Sequence, residues 1–177
     1  MRGANYAYIQ AGKQMKYTPL FIDEFTVQAV SNRFYGTHYS KANDLFIQPD
    51  VIEYFKTKNE TPVKVIYNEA DIADEMVHWE ALEQRDKYQF FLRGNNRLVE
   101  IQTGQKNGRK IAVIKDSYAH IFIPFLANHY EEIHVIDLRY FRDSTREYIK
   151  QHDITGVLFL YNVASFSKDH HLIWLKM

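Results

Sequence analysis

The 177-residue sequence predicts an α/β protein built on a mostly parallel β-sheet. In its second half, three short apolar runs alternate with stretches of helical periodicity, which is the pattern of parallel strands joined by helices. The runs are almost continuously apolar, as expected for strands covered on both faces. The predicted strands are 111–115, 133–137 and 156–161. The chain length suits a single domain over residues 1–177.

The composition excludes several classes of function. Lysine plus arginine (22) equals aspartate plus glutamate (22), so the net charge is zero and gives no general attraction for nucleic acid. The absence of cysteine excludes disulfides, cysteine-ligated zinc and thiol catalysis. Thirteen tyrosines and twelve phenylalanines suit a core and also clefts that bind carbohydrate. The sequence has neither a bilayer-length apolar run nor a signal peptide, so we expect no membrane contact by this chain itself.

The first half of the chain predicts one helix and then a β-rich segment. An alanine-rich stretch over residues 1–15 predicts the helix, which has no capping residue at its start, as if the native sequence began further upstream. β-prone runs follow at 25–30, 49–55 and 63–67, and we expect the last two to pair with each other. Residues 25–67 are therefore predicted to form a β-rich insertion.

A turn signal stands in the middle of the chain, after a predicted short helix at 79–86. The apolar run 88–92 ends in Arg93-Gly94-Asn95-Asn96, and glycine and asparagine accept left-handed backbone geometry. One interpretation is a hairpin that joins 88–92 to 98–101. The other is that the Gly94 N–H and the Asn95 amide act as oxyanion donors.

Ser117 is the candidate nucleophile. It follows strand 111–115 through Asp116, and a helical pattern over 118–129 begins directly after it, with Pro124 expected to kink or restart the helix. Unpaired N–H groups at a helix start favour the negative charge that develops in an acyl-transfer transition state. Serine at this position is also typical of a helix N-cap, so that interpretation stays open.

Polar residues follow the other two parallel strands as well. Asp137-Leu138-Arg139 and Tyr161-Asn162 are expected at the same sheet edge as Asp116 and Ser117, because the carboxyl ends of parallel strands meet there. This convergence favours a binding or catalytic site, with Asp116, Arg139 and Tyr161 as candidate substrate contacts.

A serine nucleophile needs a base and an acid that orients it, and the histidines offer no clear base. His120 is expected to point off a helix flank, and His38 lies in an aromatic loop. Three others are expected at the surface or at sheet edges, namely His129, His134 and His152. Asp169-His170-His171 is an acid–histidine pair near the last strand and gives the least favoured hypothesis. Adjacent histidines are poorly spaced as metal ligands, so we expect no metal and no cofactor.

Several segments resemble the DHHW protein family. They are Phe34-Tyr35-Gly36-Thr37 with Ser40-Lys41, then 91–96, 115–119 with 122–127, and 135–140. That family is SGNH-hydrolase-like and is similar to the alginate and peptidoglycan O-acetyltransferases. The resemblance implies a three-layer α/β/α fold in a bacterial protein that is exported or anchored at the cell surface. It also implies Ser117 as nucleophile, Gly94 and Asn95 in the oxyanion loop, and Arg139 near the site.

The Asp-His-His-Trp motif that names the family is missing from this sequence. It normally precedes a helix like residues 3–8, where it would supply the acid and the base, and this sequence begins at that helix. We therefore expect an N-terminally truncated O-acyl esterase or O-acetyltransferase of cell-surface carbohydrate, inactive as this chain alone. The alternative is a non-catalytic relative that binds glycan or protein. A homodimer that covers the exposed apolar surface is also expected.

Overall fold

The computed structural model describes residues 2–35 and 48–176, which form two compact units. The first unit comprises residues up to 60 together with 77–94, and the second comprises 61–76 together with 95–177. Within the described ranges, every helix is too short or too polar to cross a lipid bilayer.

The first unit combines one α-helix with a two-stranded antiparallel sheet. Its elements are α1 (Arg2–Met15), β1 (Phe25–Phe34) and β2 (Asp50–Thr57), with 3₁₀ helices at Ile22–Glu24, Trp79–Glu83 and Lys87–Phe90. Tyr8 of α1 stacks on Tyr17 at 5.2 Å, and the Tyr17 hydroxyl donates to the Tyr8 carbonyl. A Cβ on Gly12 would lie 2.6 Å from the Pro19 ring, so only glycine allows the chain to return against the end of α1.

The second unit is built on a six-stranded mixed sheet. Its strands are β3 (Val63–Tyr67), β4 (Asp71–Ala73), β5 (Leu98–Thr103), β6 (Lys110–Lys115), β7 (Glu132–Ile136) and β8 (Gly156–Leu160), in the order β4-β3-β5-β7-β6-β8. Strand β6 runs parallel to β7 and β8, whereas the other three pairings are antiparallel. The predicted α/β class is confirmed, but the expectation of a mostly parallel sheet is wrong. Antiparallel pairing enters because β3 and β4 form a hairpin and β5 lies between β3 and β7.

Two strand pairings expected from the sequence do not form. β2 pairs with β1, and β3 pairs with β4 and β5, so the runs 49–55 and 63–67 belong to different sheets. Residues 88–92 form no hairpin with 98–101, because most of that run is the 3₁₀ helix Lys87–Phe90. Local β-propensity indicates where strands form but carries no information on their partners.

Short helices follow the parallel strands of the second unit. They are a 3₁₀ helix at Ser117–Ile121, α2 (Ile123–Leu126), α3 (Thr145–Gln151), α4 (Val163–Phe166) and a 3₁₀ helix at His170–Lys176. Pro124 lies at the start of α2, so it restarts the helix predicted over 118–129. Ser144 caps α3, and its hydroxyl accepts the Glu147 N–H.

A hydrophobic core packs α3 against the sheet of the second unit. Its buried members are Leu98, Ala112, Ile114, Ile136, Leu138, Phe141, Tyr148 and Ile154. In contrast, β8 is an edge strand that leaves Val157 and Phe159 about half exposed, at 45% and 49%.

Candidate functional site

The carboxyl ends of the three parallel strands meet at one edge of the mixed sheet, as predicted. β6 pairs with β7 and with β8 in parallel register, which brings the residues after each strand side by side. The Asp116 Oδ2 atom after β6 accepts the Asn162 N–H after β8 at 3.0 Å, so a hydrogen bond connects two of these ends.

Asp116, and not Ser117, caps the helix that follows β6. Asp116 is buried, and its Oδ1 atom accepts the Tyr118 N–H at 3.0 Å. Ser117 is the half-buried first residue of the 3₁₀ helix. The interpretation of Ser117 as an N-cap is therefore wrong, because the preceding carboxylate takes that role.

A buried charged cluster lies beneath this edge. The Lys115 ammonium contacts Asp137 Oδ2 at 2.9 Å and His120 Nε2 at 2.8 Å, and all three side chains are at most 2% exposed. Burial lowers the pKa of Lys115. Burial also opposes ionisation of Asp137, but hydrogen bonds from Arg139 and Lys115 hold the pKa of that carboxyl below its ordinary value. Asp137 is therefore the fixed negative charge of the cluster.

Arg139 connects this cluster to Asn95. Its guanidinium donates to both oxygens of Asp137, with Nε–Oδ1 at 2.9 Å and Nη2–Oδ2 at 2.6 Å. The same Nη2 donates to Asn95 Oδ1 at 3.2 Å, and the Asp137 hydrogen bond raises the pKa of Arg139. Because its side chain is 34% exposed, Arg139 presents a permanent, oriented cation at this edge.

Gly94 belongs to the first unit and lies in a tight turn. Its φ of +79° is left-handed, as predicted for a turn glycine, and its N–H donates to the Phe91 carbonyl at 3.1 Å. A Cβ here would lie 3.2 Å from Gln89 Cγ. Its function as an oxyanion donor stays a prediction.

Tyr161 lies directly after β8 and carries a buried hydroxyl group. Its hydroxyl is buried and has no hydrogen bond to any residue the structure describes. Burial raises the pKa of Tyr161, and the nearby carboxylates of Asp169 and Asp137 raise it further. The hydroxyl is therefore a neutral donor beside the Asp116 cap.

Two histidines, His120 and His134, do not lie where the sequence placed them. His120 is buried against Lys115, and not on a helix flank, and burial together with Lys115 lowers its pKa to about 3. A group with that pKa is a poor general base at neutral pH. His134 is 2% exposed, so its predicted surface or edge position is wrong. His38 lies outside the described residues.

The acid–histidine pair at the end of the chain forms. Asp169 Oδ1 accepts the His171 N–H at 2.8 Å and lies 2.7 Å from His171 Nδ1. These two contacts lie within the pair itself and do not involve Ser117. The hypothesis that this pair completes the site gains no support.

Lys115 and its contact with Asp137 are the main features that sequence reasoning missed. The sequence does carry a signal for this ion pair. Lys115 is the last residue of the apolar strand β6, and Asp137 directly follows the apolar strand β7. Ile114 pairs with Ile136, so the next residues on the two strands are neighbours. Opposite charges at such matched positions predict a buried ion pair.

Comparison with protein families gives one match. The family described as DHHW protein matches residues 1–136. The chain belongs to the DHHW protein family. Among curated proteins, none matches the chain.

Solved structures share the fold of this DHHW protein. A DHHW family protein from Eubacterium siraeum superimposes with a TM-score of 0.84 at 24% identity, covering 98% of this chain and 59% of that one. PatB1 of Bacillus cereus, solved with a sulfonyl adduct, gives 0.73 at 20% identity, covering 96% and 58%. PatB1 without the adduct gives 0.71 at 21% identity, covering 96% and 60%. The chain thus spans about three fifths of the length of these relatives.

Proposed function

We propose that this chain is part of an SGNH-like O-acyl esterase or O-acetyltransferase of cell-surface carbohydrate, with Ser117 as its nucleophile. The observation that supports this most strongly is the arrangement after β6. Asp116 takes the helix cap, which leaves Ser117 in the first turn at the edge where three parallel strands end. Ligands bind at such edges in sheets of this kind.

In the proposed reaction, the Ser117 hydroxyl attacks the carbonyl of an acyl ester. The Oγ–C bond forms while the proton passes to a base, and the alcohol leaves with a proton returned by that base. Water or a sugar hydroxyl then takes the acyl group from Ser117. The Ser117 N–H and the Asn95 amide stabilise the tetrahedral oxyanion in this proposal, and Arg139 orients Asn95 through its 3.2 Å contact.

The base is proposed to come from a segment outside this chain. His120, with its pKa lowered to about 3, is a poor base at neutral pH. The motif that names the DHHW family would supply an acid and histidines, and the DHHW family protein from Eubacterium siraeum is longer than this chain. Without a base, a serine nucleophile keeps only binding and oxyanion effects, so this chain alone should be nearly inactive.

The PatB1 similarity supports covalent chemistry at a nucleophile. A sulfonyl adduct forms when a nucleophilic side chain attacks a sulfonyl electrophile, and PatB1 was solved with one. We extend this chemistry to Ser117 as part of the proposal. Export or membrane anchoring and a carbohydrate ester as substrate complete the proposal by resemblance to the family. A homodimer is proposed separately, as a way to cover exposed apolar surface.

Ester hydrolysis by a protein extended upstream to include the Asp-His-His-Trp motif tests the proposal. The assay compares kcat/KM on acetylated oligosaccharide for the wild type, Ser117→Ala and Ser165→Ala. Ser165 is a matched control in α4 of the same unit. We expect Ser117→Ala to lower kcat/KM by about 10³-fold or more, and Ser165→Ala to leave it unchanged.

Equal rates for Ser117→Ala and wild type would contradict the proposal. Glycan binding that survives Ser117→Ala, with no turnover by the extended protein, would favour the non-catalytic alternative.

A further inference from the structure

Three side chains of the types that can bind a metal ion, Glu100, His134 and His152, lie close together in the second unit. Glu100 of β5 lies directly opposite His134 of β7 in the strand register, and His152 is the C-cap residue of α3. Each offers one ligand atom, and these atoms lie within 4.8 Å of one another. Three different elements of the second unit thus contribute one donor each.

We propose that Glu100, His134 and His152 bind a divalent transition-metal ion, for which Zn²⁺ fits best. Two imidazoles and one carboxylate are a preferred zinc set, and imidazole selects transition metals over Mg²⁺ or Ca²⁺. His134 Nδ1 is 3.7 Å from Glu100 Oε1, which is close to the separation of two ligands on one small ion. The expectation of no metal came from residues 170–171 and did not consider this cluster.

The surroundings of His134 supply the second shell that a metal ligand needs. Its other ring nitrogen, Nε2, faces Glu132 Oε2 at 3.4 Å, and Glu132 is held by Lys110 at 3.1 Å. A metal on Nδ1 leaves the Nε2–H group to donate to Glu132. This carboxylate–histidine–metal arrangement fixes the tautomer and orients the ring.

The hydrogen bonds of the cluster are one hydrogen short. The Tyr148 hydroxyl contacts both Glu100 Oε1 at 3.0 Å and His134 Nδ1 at 2.8 Å, and Glu132 contacts Nε2. These three contacts need three hydrogens, but a neutral His134 and one phenol supply two. A cation bound by both Glu100 and His134 Nδ1 would take the place of the missing hydrogen.

Such an ion would link β5 and β7 to the end of α3. Its binding can therefore be followed by the melting temperature, which is independent of activity. A ligand that binds only the folded state raises the melting temperature by mass action. His152 is half-buried at the end of α3, so it can be replaced without opening the core. Zn²⁺ should therefore raise the Tm of the wild type more than that of His152→Ala at the same zinc concentration.

The test is calorimetric titration of the protein, free of any histidine tag, with ZnCl₂ at pH 7.5. We expect one ion per chain, with affinity lowered about tenfold or more in His152→Ala and in Glu100→Gln. His170→Ala is the matched control, because it removes an exposed imidazole outside the cluster, and its affinity should equal that of the wild type. Replacing Zn²⁺ by Co²⁺ should give visible absorption that His152→Ala lacks.

Two outcomes would overturn the proposal. One is the lack of saturable binding near one equivalent. The other is an affinity in His152→Ala equal to that in the wild type and His170→Ala. Glu132→Gln serves as a second variant outside the three ligands, with an expected loss of about tenfold through the outer hydrogen bond to His134.

Discussion

Replacing Asp137 by alanine should destabilise the second unit far more than removing a surface carboxylate. Asp137 is fully buried and accepts hydrogen bonds from Lys115 and Arg139. Its loss leaves the Lys115 ammonium, 2% exposed, without a counter-ion. Breaking a buried ion pair in this way costs about 3–5 kcal/mol of unfolding free energy.

Asp143→Ala is the matched control for this prediction. Asp143 also pairs with an arginine, Arg97, at 2.8 Å, but its side chain is 66% exposed. An exposed pair contributes about 0–1 kcal/mol, so the two variants should differ by at least about 2 kcal/mol. The measurement is urea unfolding at pH 7 followed by circular dichroism and tryptophan fluorescence.

Lys115→Met in the Asp137→Ala background supplies the cross-check. If the cost arises from the unpaired ammonium, the added substitution should recover part of the lost stability, because an apolar chain of similar length needs no partner. Equal losses in Asp137→Ala and Asp143→Ala, or no recovery on adding Lys115→Met, would refute the reasoning.

Two further predictions concern stability. The pKa of His120 in the folded chain is about 3, below the ordinary value of 6.5. As the pH falls, the unfolded chain therefore binds a proton at His120 before the folded chain does. The free energy of unfolding should decrease as the pH falls from 6.5 towards 3. The contribution of His120 is about 1.4 kcal/mol per pH unit, and His120→Gln should flatten the unfolding free energy between pH 6 and 4; an unchanged slope contradicts this. Gly3→Ala should raise the Tm, because alanine favours the helix and its Cβ would meet no atom within 4 Å. Gly12→Ala should lower the Tm, because its Cβ would collide with Pro19. Shifts of the same sign in the two variants would contradict this packing.

The local pattern of the sequence was enough to predict the parallel strands and the edge where they end. Continuous apolar runs bounded by polar residues locate β6, β7 and β8 within a residue or so of their observed ends. The order of strands was not predictable in the same way. Nothing in the run 63–67 indicates that β3 pairs with β5 and not with β2, because that choice depends on contacts distant along the chain.

In the candidate site, too, the residue types were predictable from the sequence but their contacts were not. Asp116 and Ser117 are both good caps one residue apart, and only the backbone geometry decides that Asp116 takes the position. The burial of His134 and its meeting with Glu100 depend on the register of β5 against β7. A one-residue shift of that register would turn one of the two side chains to the other face.

Covalent labelling of Ser117 by a sulfonyl fluoride tests the central claim most directly. The protein extended upstream through the Asp-His-His-Trp motif is treated with phenylmethylsulfonyl fluoride, which forms an Oγ–S bond to an activated serine and releases fluoride. The account predicts one sulfonyl group per chain by intact mass, located on the Ser117 peptide, present in Ser165→Ala and lost in Ser117→Ala. Labelling that persists in Ser117→Ala, or no labelling of the extended protein, would contradict the account.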